Sequence, residues 1–184
     1  VIRPVFFEKA TSDRIEIYTA EDLVEFADNV NAGGGAENMD AILMNDIDMK
    51  DVSSWTPIGN GKFNGTTSTS TYEGPAFKGT FDGQGYSIRN FRLTADLEGD
   101  RCVFGLFGIL DGATVKNLTV GAADNDSGEL TFSATGITEA GVFAGAVMSS
   151  VVENCVNYVP MYVKGNSTNA KRTTMGAFAG FVYG

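Results

Sequence analysis

The side chains best suited to chemistry are carboxylates, and three groups of them stand close enough in sequence to act together. Asp124-Asn-Asp126-Ser-Gly128-Glu129 carries acids at i and i+2, a glycine that permits a sharp turn, and a further acid beside it. A loop that wraps calcium through Asp124, Asp126 and Glu129 would look like this, although it offers roughly half of the six to eight oxygens the ion takes. The same residues make a solvated turn between strands with Asx-type capping, and the short oxygen count favours that simpler role. Asn45-Asp46-Ile47-Asp48 sets two carboxylates on one side of an extended segment, from which a glycoside hydrolase or a metal-dependent lyase could work. Such an enzyme also needs a second carboxylate about 5 to 9.5 Å across the substrate, or a Lys or Arg base above bound metal. The alternative for Asp46 and Asp48, and equally for Asp82 in Thr80-Phe-Asp82-Gly-Gln-Gly85, is a structural role in turns and hydrogen bonds.

Histidine is absent, which removes imidazole bases, His-assisted Ser or Cys nucleophiles and His-ligated zinc. Cys102 and Cys155 occupy unlike places in the repeat described below, so two buried thiols are expected rather than a disulfide. Trp55, Tyr72, Tyr86, Tyr158 and Tyr162 could offer flat rings to a sugar. Trp55 stands beside Pro57 in a turn expected to pack inward. Tyr72 lies in a stretch rich in Gly, Ser and Thr where exposure is expected, and it is the ligand-binding candidate. Arg89, Lys116 and Glu153 each precede an asparagine and are expected to share one outward column; the acid interrupts the positive run a lyase cleft would keep, so a plain solvent face is expected. Thirteen basic against 23 acidic residues give a net charge of -10, which repels nucleic acid. No catalytic residue is assigned, and no cofactor beyond calcium at Asp124 to Glu129.

These groups need a scaffold, and its period is legible. Gly-x-Phe occurs at Gly79-Thr-Phe81, Gly105-Leu-Phe107, Gly141-Val-Phe143 and Gly176-Ala-Phe178, with the phenylalanines 26, 36 and 35 residues apart. Asn90, Asn117 and Asn154 follow the first three phenylalanines by 9, 10 and 11 residues, within Ile88-Arg-Asn90-Phe91, Val115-Lys-Asn117-Leu118 and Val152-Glu-Asn154-Cys155. Units of this kind cannot bury their own apolar face and must stack, so a solenoid is expected. With 184 residues, 43% hydrophobic content and 23 glycines, the chain suits one mainly β domain of short strands and tight turns. The product is a single-stranded parallel β-helix. Asn90, Asn117 and Asn154 are expected to form one ladder with a spacing of about 4.8 Å, and Phe81, Phe107, Phe143 and Phe178 one internal column.

Ahead of the repeats, Arg14 to Tyr18 alternates as a strand. Thr19, with Asp22 three positions on, caps a helix over Ala20 to Asn31 whose apolar residues are Leu23, Phe26, Ala27 and Val30. Gly33-Gly34-Gly35 stops it, and it is expected to cover the first coil. Asp40 to Met49 reads as a buried strand, and Asn60 to Gly74 as a surface loop or hairpin excursion. The chain thus divides into residues 1–35 (strand and cap helix), 36–76 (first coil and long loop) and 77–184 (repeats). Gly176 to Gly184 opens a repeat without reaching its asparagine, so the last repeat is expected to be incomplete, with further repeats or domains C-terminal in a longer parent. No run approaches the about 20 apolar residues of a membrane helix, and Val1 to Phe7 lacks the features of a signal peptide.

Gly105-Leu-Phe-Gly108 followed by Val115-Lys-Asn117-Leu118, and Gly141-Val-Phe-Ala-Gly145 followed by Val152-Glu-Asn154-Cys155, resemble the GLUG-type repeats of bacterial surface proteins. Thr19-Ala-Glu-Asp-Leu23, Asn45-Asp-Ile-Asp48, Trp55-Thr-Pro-Ile-Gly59 and Phe77-Lys-Gly-Thr-Phe-Asp-Gly-Gln-Gly-Tyr-Ser-Ile88 are similar to the lead-in before such repeats in secreted or lipid-anchored proteins of anaerobic gut bacteria. The similarity runs from about Ile15 onward; residues 1 to 14 have no counterpart. It implies a right-handed β-helix displayed outside the cell, adhesin-like, with no catalytic residue and with its leader absent from this chain. The function expected on that footing is a non-enzymatic surface module that binds a host or environmental glycan or protein. A carbohydrate-active β-helix enzyme and a passive spacer are the alternatives.

Overall fold

The structure, a computed structural model, describes residues 14–33, 35–65, 69–124, 126–164 and 172–184. Its strands are short because each runs only from one turn to the next, and each finds its partner one coil away rather than beside it in sequence. The result is a parallel β-solenoid of about four turns with one helix. The second coil holds five strands, Thr80–Asp82, Ser87–Arg89, Phe91–Leu97, Cys102–Phe104 and Phe107–Asp111. The third repeats them as Thr114–Lys116, Thr119–Val120, Gly128–Ala134, Ile137–Gly141 and Ala144–Met148, and the fourth as Val151–Glu153, Val156–Asn157, Met161–Val163, Arg172–Gly176 and Ala179–Tyr183. Every pairing between these coils is parallel.

The first coil is abbreviated. Asp40–Leu43 and Ile47–Asp48 pair with the first and second strands of the second coil, and Ile58 and Phe77 bridge to Phe107 and Leu110 of its fifth. Between those two bridging residues, at the level of the fifth strand, the chain sends out an antiparallel hairpin, Lys62–Gly65 with Ser70–Glu73. This hairpin lies against the outer wall of the solenoid. Phe63 and Tyr72 join Val103, Ile109 and Ala146 in a second apolar cluster, while the adjacent residues Phe104, Leu110 and Val147 point into the main core.

The N-terminal end is closed by the helix Ala20–Ala32. Its capping box is complete: Thr19 Oγ1 accepts from the Asp22 amide at 3.2 Å and Asp22 Oδ2 accepts from the Thr19 amide at 3.0 Å. Leu23, Phe26, Ala27 and Val30 are buried, and the Phe26 ring meets Phe77 at 5.7 Å and Phe81 at 6.1 Å. The strand Arg14–Ile17 pairs with Asp40–Leu43 beside it. Among the described residues no helix is long and apolar enough to cross a membrane.

Two expectations of register fail. Phe81 is aligned with Ala41 and Val115, on the first strand of its coil, whereas Phe107 opens a fifth strand and Phe143 and Phe178 stand immediately before one. The 26-residue interval therefore spans two different positions in the coil, whereas aligned residues lie 37 apart from Phe107 to Ala144 and 35 apart from Ala144 to Ala179. Asn90 likewise follows a second strand, whereas Asn117 and Asn154 follow first strands. The three asparagines look alike in sequence because all take left-handed backbone, with φ of 53°, 53° and 50°, a conformation asparagine tolerates better than most residues.

The phenylalanine column is broken for a related reason. Gly105-Leu-Phe-Gly108 becomes Gly141-Val-Phe-Ala-Gly145, one residue longer, so Phe107 aligns with Ala144 rather than with Phe143. Phe107 instead meets Phe77 and Phe81 at 5.6 and 5.4 Å, and Phe143 stacks on Phe178 at 4.9 Å with 12° between planes. There are two stacks in place of one.

Candidate functional site

The first corner of each coil carries the most organised polar group on the outside of the solenoid. Gly83, Asn117 and Asn154 follow the aligned residues Asp82, Lys116 and Glu153. A β-carbon at Gly83 would lie 2.5 Å from the Asn117 carbonyl oxygen, so the lowest place cannot hold an asparagine. Asp82 serves as the base of the ladder instead. Asn154 Nδ2 donates to Asn117 Oδ1 at 2.7 Å, and Asn117 Nδ2 donates to Asp82 Oδ1 at 3.0 Å. The Gln84 amide also donates to Asp82 Oδ1, at 2.9 Å, and Lys116 Nζ lies 3.6 Å from Asp82 Oδ2. Burial by itself pushes the Asp82 carboxyl up. The Asn117 hydrogen bond, the Gln84 amide and the Lys116 ammonium outweigh it, so the group is held below the ordinary carboxylate range.

Asp82, Gln84, Gly85, Asn117 and Asn154 surround an open hollow of ≈ 370 Å³. The Gln84 Nε2 reaches down to the Leu43 carbonyl at 3.1 Å, which anchors that side chain to the first coil. Each asparagine amide has two donors and each side-chain oxygen two lone pairs, so the ladder leaves hydrogen-bonding capacity facing solvent. Tyr86, next along the chain from Gly85, is exposed. The second corner repeats the device in a smaller form, with Asn90 Nδ2 donating to Asp48 Oδ1 at 2.8 Å. That bond, against the opposing effect of burial and with help from Lys50, holds the Asp48 carboxyl down.

The other residues singled out by the sequence have definite partners. The Arg89 guanidinium sits 3.9 Å from Asp124 and 3.8 Å from Asp126. The Asp126 amide donates to Asp124 Oδ1 at 3.0 Å, the geometry of an Asx turn, and Glu129 accepts from Thr131 Oγ1 at 3.1 Å. Asn125 of that loop lies outside the described residues. Calcium on Asp124, Asp126 and Glu129 would have to displace Arg89, and among the described residues no three His, Cys, Asp or Glu side chains gather as a metal site. Asp46 Oδ1 accepts from the Ser87 amide at 2.8 Å, so Asp46 and Asp48 tie the first coil to the second. The expected column of Arg89, Lys116 and Glu153 is not formed: Lys116 stands between Asp82 and Glu153, while Arg89 aligns with Asp48.

Tyr72 is half-buried rather than exposed, because the hairpin folds back on the wall. Its hydroxyl donates to Asp111 Oδ2 at 2.7 Å, and burial together with that acid pushes the phenol up to about 12. Trp55 packs inward as expected, edge-on to Phe91 at 5.9 Å, with its indole N–H on the Gly105 carbonyl at 3.2 Å. Cys102 and Cys155 are free thiols, half-buried, and burial pushes both up.

Sequence reasoning missed one buried charge. Glu139 is 0% exposed and pairs with Arg172, whose guanidinium also donates to the Gly65 carbonyl at 3.2 Å. The second carboxylate oxygen of Glu139 is buried with no hydrogen bond. Glu139 aligns with Thr174, so the only available signal was that Arg172 falls about one coil period further on.

No protein-family model matches the chain, and neither a curated protein nor a solved structure is significantly similar to it.

Proposed function

We propose that the chain is a non-enzymatic module of the GLUG-repeat type, working at or outside the cell surface, which binds an extracellular glycan or glycoprotein at the corner of Asp82, Gln84, Asn117 and Asn154. The supporting observation is the open hollow lined by side-chain amides and one carboxylate, with exposed Tyr86 beside it in the chain. Fixed donors and acceptors suit sugar hydroxyls, and a flat aromatic ring suits the apolar face of a pyranose. Because its carboxyl is held below the ordinary range, Asp82 is an acceptor at neutral pH and a poor proton donor. That suits binding better than general acid catalysis.

An array of glycans and matrix proteins, run with calcium and with chelator, tests the reading. Tyr86→Ala changes an exposed side chain and should leave the thermal midpoint in place, whereas Gln84→Ala also loses the Leu43 carbonyl bond and is compared well below its own midpoint. Binding to a defined sugar class that weakens roughly tenfold in either variant supports the proposal. Binding lost only with chelator would bring calcium at Asp124, Asp126 and Glu129 into the site. Silence across the array favours the spacer reading, and release of unsaturated or reducing sugar from a polysaccharide panel would replace binding by lyase or hydrolase action.

A further inference from the structure

Part of the second coil has no neighbour on the side of the helix Ala20–Ala32. The first coil bonds to the Arg89 carbonyl through the Met49 amide and next to the Leu106 carbonyl through the Ile58 amide. Between those two attachments lies Phe91–Leu97, a strand of seven residues. It is last in its sheet, whose order is Met161–Val163, Gly128–Ala134, Phe91–Leu97, and among the described residues no backbone bond reaches its outer side. The gap is internal to the chain, because Met49 to Ile58 precede the strand in sequence and pass it by. Burial follows the gap. Phe91 is 1% exposed, with Trp55 edge-on at 5.9 Å. Ala95 and Leu97 are only half-buried, whereas Phe132 and Ala134, their counterparts in the third coil, are 0% and 4% exposed.

We propose that Phe91–Leu97 pairs antiparallel with the same strand of a second copy of this chain, about a two-fold axis through Thr94. An unpaired edge is satisfied by another strand, and natural edges are commonly guarded by charges that turn a second copy away. Here the guard is self-complementary. The axis at Thr94 sets Arg92 opposite the partner's Asp96 and Asp96 opposite the partner's Arg92, one matched pair on each side of the axis. On the inward face of the same strand, Phe91 meets the partner's Leu97 and Leu93 the partner's Ala95, so apolar residues stand against apolar ones.

Charge also fixes the register. An axis moved to Arg92 or to Asp96 brings like charges face to face, and in-register parallel pairing does so at both positions. A slide by one residue turns the apolar set against the polar one. Both charged groups are available. Arg92 and Asp96 are exposed, Arg92 makes no ion pair among the described residues, and Asp96 engages only Oδ1, on the Ser133 hydroxyl. The strand belongs to a different sheet from Thr80–Asp82 and Thr114–Lys116, which carry the amide corner, so the inference is independent of the glycan reading.

The test is sedimentation velocity of the full chain over a concentration series at about 0.15 M salt, where repulsion between two chains of net charge -10 is screened beyond about 8 Å. Arg92→Asp and Asp96→Arg each place two like-charge pairs across the axis and should weaken the dimer roughly tenfold. An equimolar mixture of the two variants opposes Asp to Arg at every charged position and should restore it, which also shows that both variants still fold. Amide exchange in Phe91–Leu97 should slow as concentration rises in the unsubstituted chain and in neither variant alone. A chain that stays monomeric at every concentration, a dimer that neither substitution weakens, or a mixture that associates no better than its components overturns the proposal. So does a dimer that Val182→Lys dissolves, which would lie at the fourth coil. Protection of Phe91–Leu97 that is independent of concentration overturns it as well, since the cover would then come from the same chain.

Discussion

An ionised Asp82 beneath two stacked asparagines sets the electrostatics of the candidate corner. Its folded pKa lies below its unfolded one, so the stability it contributes is present above the ordinary carboxylate range and is lost as pH falls through the folded value. Asp82→Asn should flatten the loss of stability below about pH 4, read from urea melts at a series of pH values. Parallel acid slopes in the two proteins would refute it. Tyr72 works in the opposite direction. Its phenol is raised from 10.0 to about 12, so its contribution is complete below pH 10 and declines as pH rises toward the folded value. Tyr72→Phe should cost about 1 kcal/mol at neutral pH through the lost Asp111 bond, and should remove the last tyrosinate step from an ultraviolet titration of the folded protein. At the pair of buried Glu139 and exposed Arg172, Arg172→Met leaves the Glu139 carboxylate without its cation and should cost about 3 kcal/mol in a denaturant melt, much of it restored by adding Glu139→Gln. The one sequence signal for this pair, that Arg172 falls about one coil period after Glu139, is faint because an ion pair across two coils does not recur.

At the scale of the element, the helix was the most legible piece. Thr19 and Asp22 stand three apart, four apolar residues follow at helical spacing, and Gly33 at φ 76° ends the run. Asp40 to Met49 was read as one strand and is two, Asp40–Leu43 and Ile47–Asp48, since Asn45 and Asp46 turn the corner between them. The excursion at Asn60 to Gly74 could be recognised as a departure from the coil, but not where it lands. The side chains that hold it to the wall, Val103, Ile109 and Ala146, face outward on strands whose inward residues are just as apolar. The broken phenylalanine column carries its own prediction. Phe143 is enclosed and Phe178 only half covered, so Phe143→Ala should cost about 3 to 5 kcal/mol and Phe178→Ala clearly less, as compared by thermal and urea midpoints. Equal losses would mean that the fourth coil is covered in solution.

The architecture of the whole molecule followed from the recurrence of Gly-x-Phe and Asn, because a solenoid writes its period into the sequence. Register did not follow, since turns at different corners impose the same demand for left-handed backbone and so recruit the same residues. The candidate site was partly legible for the same reason: Asn117 and Asn154 were expected to stack, and they do, while Asp82 and Gln84 gain their place only once Phe81 is aligned with Val115. Packing the helix Ala20–Ala32 onto Phe77 and Phe81 through Phe26 also gives the molecule a direction in time. Each coil rests mainly on its neighbours, so loss of structure is a zipper that opens from one side. Amide hydrogen exchange should therefore be fastest in Val151–Glu153 and Ala179–Tyr183, slower coil by coil, and slowest where Phe26 meets Phe77 and Phe81, with refolding advancing from that aromatic seed.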